Sequence, residues 1–230
     1  MNEDVMLVSE VSDVERAVFY KKTYLHVAMA ILSFIVVEGF LLRAVPEALI
    51  MQMISGKFIW LFIIGLFWLG SMLADKLAFS VSRNTQYLGL GLFVLLEAVI
   101  FLPILYIALV MTDSGAIVQQ AAVITLFMFG GLTAVVFITK KDFSFLRSAL
   151  VIGGFVALGL IVAGAIFGFN LGLWFSVAMV ALAAGSILYQ TSEIKNKYAT
   201  GQYVGAALQL FSSVMLLFWY ILRILMSRRD

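Results

Sequence analysis

The sequence predicts an all-α integral membrane protein, a bundle of seven transmembrane helices with the last largely enclosed by the others. Hydrophobic residues make up 63% of the 230 and charged ones 12%, against about half and about a quarter in soluble domains. Nearly uncharged windows of about 18–25 residues recur along the chain, each long enough to cross a hydrocarbon core of about 30 Å. The final window carries Gln209, Ser212 and Ser213 on an otherwise apolar span, and polar groups in a membrane helix face protein.

Residues 1–22 form a polar tail with five acids and three bases, unlike the basic start of a cleaved signal peptide. Ser12 and Glu15 have capping-box spacing, with Val14, Ala17 and Val18 on one face, and predict a short helix at the membrane surface. Residues 23–230 read as a single transmembrane domain with segments at roughly 24–44, 57–76, 87–110, 115–138, 146–168, 171–190 and 203–226. Pro46 falls in the first connection. Pro103 lies inside the third segment, where it removes a hydrogen bond to the Val99 carbonyl and predicts a bend. Segments five and six concentrate small residues, among them Gly153, Gly154, Gly159 and Gly185, which predicts close packing of the two helices.

Lys and Arg counts set the orientation. The tail and the even-numbered connections hold ten, including Lys21, Lys22, Arg83, Lys140 and Lys141, and the opposite side holds five, Arg43, Lys57, Arg223, Arg228 and Arg229. The amino terminus is therefore expected in the cytoplasm. Three of the five sparse-side bases follow or end the last span, so a re-entrant final helix would sharpen the asymmetry; seven full spans is the reading adopted.

The absence of cysteine excludes disulfides, thiolate nucleophiles and cysteine metal sites. A net charge of +2 with scattered bases gives no surface for nucleic acid. No G-x-S-x-G, H-E-x-x-H or Walker loop is present. The single histidine, His26, stands at the start of segment one, the aspartates lie in the tail or near segment ends, and segment seven has no lysine for a Schiff base. The sequence thus predicts a non-enzyme with no cofactor and no transition-metal site, whose surroundings are membrane lipid.

Two acids lie deep in spans. Glu97 is about ten residues into segment three, about 15 Å from its cytoplasmic end, where a carboxyl is a candidate ion or proton site. Its alternative is a carboxyl that is protonated, or hydrogen-bonded to a neighbouring helix, and only glues the bundle. Glu38 lies in segment one toward the outer side, and Arg223 in segment seven is at comparable depth, so the two form a candidate ion pair. Asp75, Glu193, Lys195 and Lys197 read as ordinary polar helix ends, and Asp142 as a cap for the helix that follows it.

Six stretches in order resemble the Bax inhibitor-1 family, also called TMBIM, and its bacterial members in particular. They are Lys21-Lys22-Thr23-Tyr24, Gln86 to Gly91, Glu97 to Tyr106 (EAVIFLPILY), Thr139 to Phe143, Ile187 to Ile194 (ILYQTSEI) and Leu217 to Leu225 (LFWYILRIL). The resemblance implies the seven-helix fold with an enclosed last helix, a place in the cell's inner membrane and a pH-sensitive calcium leak governed by two aspartates, one in the sixth helix and one in the seventh. At those latch positions this chain has Gln190 and Ser213. Two carboxylates close together cannot both ionise cheaply, so the pair holds a proton and acts as a latch. Gln190 and Ser213 hydrogen-bond without titrating, and a fixed Gln–Ser contact between them is expected.

Two functions follow from the resemblance. One is a calcium-permeable leak whose pH latch is altered or lost, leaving Glu97 and Glu38 to meet the ion. The other is a non-transporting regulator that binds another membrane protein, such as a quality-control protease, through the cytoplasmic tail.

Overall fold

The computed structural model describes residues 6–111, 115–139 and 141–227. Lys140, Arg228 and Arg229, counted above toward orientation, and the first five tail residues lie outside the described residues. The described chain forms eight helices: α1 (Asp13–Ala44), α2 (Glu47–Ser55), α3 (Lys57–Ala78), α4 (Arg83–Tyr106), α5 (Gly115–Ile138), α6 (Leu146–Phe167), α7 (Gly172–Asn196) and α8 (Tyr203–Met226). All but α2 are long and apolar enough to cross a bilayer. They coincide with the seven predicted segments because a window of about 20 apolar residues has no other low-energy home.

The capping box forms, with the Glu15 amide donating to Ser12 Oγ and the Ser12 amide to the Glu15 carboxylate. It opens no separate surface helix, however, because α1 runs unbroken for 32 residues from Asp13. Phe19 and Thr23 are buried in the bundle and carry the helix straight through the expected junction. The tail before α1 is pinned as well. The Val8 amide donates to the Tyr198 carbonyl and the Thr200 amide to Met6, while the Arg16 guanidinium gathers the carbonyls of Val8, Ser9 and Val11.

Helix α2 was not foreseen. Nine residues are too few to register as a span, but Pro46 starts the helix without losing a needed donor, and Ile50 is buried against Leu102 and Tyr106. Pro103 leaves α4 helical through Tyr106, and the backbone then changes to a π-helical turn at Ile107–Met111.

The core is built around α8, which packs against α1, α3, α4, α5 and α7. Of its most apolar window 61% is buried, against 6% in α3 and 11% in α6. The enclosed last helix is therefore as predicted, and Ser213 is buried within it. His26 lies near Tyr203, and Phe101 near Phe218 and Trp219. Helices α1, α4 and α8 therefore run in the same direction, and α8 starts beside the tail and ends at the opposite side. No re-entrant turn interrupts it.

The glycine expectation holds only in part. A Cβ on Gly153 would stand 2.7 Å from Leu182 and one on Gly185 would meet Leu150 at 3.3 Å, yet Gly154 and Gly159 face open space. The closer backbone approach lies between α3 and α4, where a Cβ on Gly89 would stand 2.5 Å from the Ala78 amide nitrogen. Small residues permit such contact, but the neighbour decides which of them use it.

Candidate functional site

The polar groups within the spans sort into two levels. Toward the tail side, α7 and α8 meet as antiparallel neighbours joined by a short loop, and Gln190 Nε2 donates to Gln209 Oε1 at 3.2 Å. Gln209 Nε2 in turn donates a short hydrogen bond to the Asp75 carboxylate on α3, and the Tyr198 hydroxyl reaches Gln190 Oε1 at 3.5 Å. One turn further in, the hydroxyls of Ser186 and Ser213 share a hydrogen bond of 2.8 Å. Ser213 also donates to the Gln209 carbonyl.

The expected Gln190–Ser213 contact is thus replaced by two others. In an antiparallel pair, a step of one turn along one helix is matched by one turn back along the other, so Ser213 faces Ser186 and Gln190 faces Gln209. Neither amide nor hydroxyl titrates. Asp75, read from the sequence as an ordinary polar end, is instead the acceptor that completes this layer. Gln209 carried a signal as a polar residue in an apolar span; Asp75 carried none, being three residues from the end of its helix.

Toward the opposite side, a cavity of about 630 Å³ lies among α3, α4, α6 and α8. It reaches from the α6–α7 turn to Glu97, and along α8 from Arg223 to Ser212, about 16 Å at the helical rise. Trp60 and Trp219 stack at 6.4 Å in its wall, and Phe101 meets Trp219 edge-on at 5.0 Å. Glu97 is 5% exposed, and among the described residues its carboxyl has no hydrogen-bond partner. Of the two forms of the helix-gluing alternative for Glu97, the hydrogen-bonded one has no bond among the described residues.

Glu38 is buried too, and neither of its carboxyl oxygens has a partner among the described residues. The candidate pair of Glu38 with Arg223 is not formed: Arg223 lines the cavity that Glu97 lines, and the described ion pairs are Arg16–Asp13 and Lys197–Glu193. His26 is held at the tail-side end, its Nδ1 2.7 Å from the Lys22 carbonyl and its ring stacked on Tyr87. No group of three His, Asp or Glu side chains converges among the described residues.

Outside the spans, Asp142 makes a turn of its own. Its carboxylate accepts from the Ser144 amide and hydroxyl and from Ser192 on α7, each at 2.9 Å, so it ties a loop to α7 and does not cap α6, whose N-cap is Phe145. The Ser144 amide, then the two hydroxyls, hold this carboxyl below the usual aspartate range. Lys195 reaches the Val136 carbonyl near the end of α5, and the Glu193 carboxylate beside Lys197 pushes that ammonium's pKa up.

A Pseudomonas aeruginosa protein described as uncharacterized is 35% identical over 123 residues, 53% of this chain and 55% of the relative. A Vibrio cholerae protein described as an uncharacterized membrane protein is 30% identical over 130 residues, 54% of this chain and 55% of its own length. Each match thus spans about half of the relative. The family described as Bax1-I, inhibitor of apoptosis-promoting Bax1, matches residues 16–230. With that match over nearly its whole length and seven helices long and apolar enough to span a membrane, the last of them enclosed by others, this chain belongs to the Bax inhibitor-1 family.

Proposed function

We propose that this multi-pass membrane protein is a cation leak, with calcium as the ion, in the cell's inner membrane and with its amino terminus in the cytoplasm. The observation that carries the reading is the cavity that ends at the partnerless carboxyl of Glu97. A buried carboxylate without a counter-charge is costly, and a passing cation supplies one. A lone carboxylate with carbonyl and water oxygens offers calcium a weak, transient site, which suits passage better than retention.

The closed end of the path is the Asp75–Gln209–Gln190 layer, and opening it requires α7 or α3 to shift against α8. Because amides and hydroxyls occupy the latch positions, gating by a shared proton is absent from this pair.

Purified protein in liposomes loaded with a calcium dye tests the proposal. Flux above empty vesicles at both about pH 6 and about pH 8, reduced several-fold by Glu97→Gln, is expected. No flux at either pH would sink it.

The regulator reading rests on a different observation, the ordered tail that presents Met6, Val14 and Val18 as exposed apolar side chains. Its partner is a membrane protein such as a quality-control protease. Removing the whole tail is a poor test, since Val8 and Phe19 belong to the core. Val14→Asp with Val18→Asp instead spoils the surface alone: a leak keeps its flux, and a regulator loses its partner in a pull-down.

A further inference from the structure

The geometry points to the Glu97 cavity as a binding site for a lipophilic monovalent organic cation, a bulky aromatic or alkyl ammonium or phosphonium whose charge meets Glu97 while its body fills the aromatic wall. The inference rests on the same exposure of Glu97 to the cavity as the leak reading, but it concerns binding and not passage. Four observations converge on this ligand chemistry. The volume of about 630 Å³ lies within the range of about 300–1,000 Å³ typical of sites for drug-sized molecules. The wall is mostly apolar, and its aromatic part comes from Trp60 and Phe67 on α3, Phe101 on α4, Phe169 in the α6–α7 turn and Trp219 and Tyr220 on α8. Aromatic faces attract a cation whose hydration shell is weak. The third observation is Glu97, a buried carboxyl aimed into the space with no partner of its own among the described residues.

The fourth is Arg223. Phe101 is level with Trp219, Glu97 is one turn before Phe101 and Arg223 one turn beyond Trp219, so the two charges stand about 12 Å apart along the bundle. At that separation the guanidinium does not take the place of a cation at Glu97, and it bounds the outer end of the space. A ligand whose single charge is spread over a large apolar body therefore places its centre at Glu97. Dehydrating such a cation costs far less than stripping a compact metal ion.

Binding of tetraphenylphosphonium to the purified full chain in lipid nanodiscs, followed by quenching of tryptophan fluorescence, tests the site. Saturable quenching is expected, weakened about ten-fold or more by Glu97→Gln and several-fold by Trp60→Leu. Arg223→Gln is expected to leave affinity unchanged or to raise it. Tetraphenylborate, an anion of the same shape, separates charge recognition from apolar partition: it should bind much more weakly than the phosphonium. Equal or tighter binding of the borate, non-saturable quenching, or unchanged affinity in both Glu97→Gln and Trp60→Leu would overturn the inference. Saturable, Glu97-dependent binding by a protein that passes no calcium would remove the leak and keep the site; calcium flux without phosphonium binding would do the reverse.

Discussion

The two polar levels of the bundle differ in how they are satisfied. Toward the tail, Gln190, Gln209, Asp75, Ser186 and Ser213 each have a partner at hydrogen-bond distance, and three helices are joined through them. Toward the opposite side, Glu38 and Glu97 are more deeply buried than most of these yet have no hydrogen-bond partner among the described residues. A satisfied network in a low-dielectric interior rigidifies what it joins, whereas a solitary acid is a standing cost retained for something other than packing. The inner level is a seam that holds α7, α8 and α3 together. The outer level is where the proposed cation would meet an unpaired acid.

The largest way to break this contrast is to put charge into the seam. Gln190→Asp with Gln209→Asp places two carboxyls across the α7–α8 contact beside Asp75, so that a proton must be shared among them. On the leak reading, calcium flux in liposomes is expected to be nearly level between about pH 6 and about pH 8 in the native chain and to change about ten-fold over that interval in the double variant, and either substitution alone should do less. Native flux that already switches several-fold, undiminished in Glu97→Gln, would contradict the account of both levels.

Removing the bridge is next in size. Gln209→Leu strips the donor from Asp75 and the acceptor from Gln190, and should cost about 1–3 kcal/mol in thermal unfolding in detergent. The opposite sign is expected at the outer level. Glu38→Leu replaces a partnerless buried carboxyl with an apolar side chain of similar volume, and the midpoint should rise. A fall comparable to that of Gln209→Leu would mean that Glu38 has a partner after all.

The smallest effect belongs to Asp142, outside both levels. Its carboxyl is held below the ordinary aspartate range by the Ser144 amide first, so its contribution is present above the unfolded-state pKa and is lost as pH falls through the lower folded-state value. Asp142→Asn should lower stability at neutral pH by at most a few tenths of a kcal/mol, because the site is exposed to solvent. The difference from the native chain should vanish on acidification, as read from midpoints measured across the acid range.

Legibility followed the length scale of each signal. The spans could be read because hydropathy summed over about 20 residues overwhelms any local preference, and the enclosure of α8 because Gln209 and Ser213 had nowhere else to face. The Ser12–Glu15 box was legible because both partners lie within one turn. Asp75 was misjudged because its position near the end of α3 looks like an ordinary interfacial acid until α8 is laid beside it. Glycines 154 and 159 misled because a small residue permits close packing without requiring it.

By itself the sequence determined the membrane as solvent, the seven spans and the enclosed last helix, all of which depend on composition and on spacing along one chain segment; the positions of a latch, where this chain has Gln190 and Ser213, are what the family resemblance implies. Only the tertiary structure decided that Gln190 faces Gln209 and Ser213 faces Ser186, that Asp75 completes their layer, and that Trp60, Glu97, Trp219 and Arg223 line one cavity. Those facts turn on the axial register and rotation of separate helices. A shift of a single turn, about 5.4 Å, exchanges every partner while leaving each span's hydropathy unchanged.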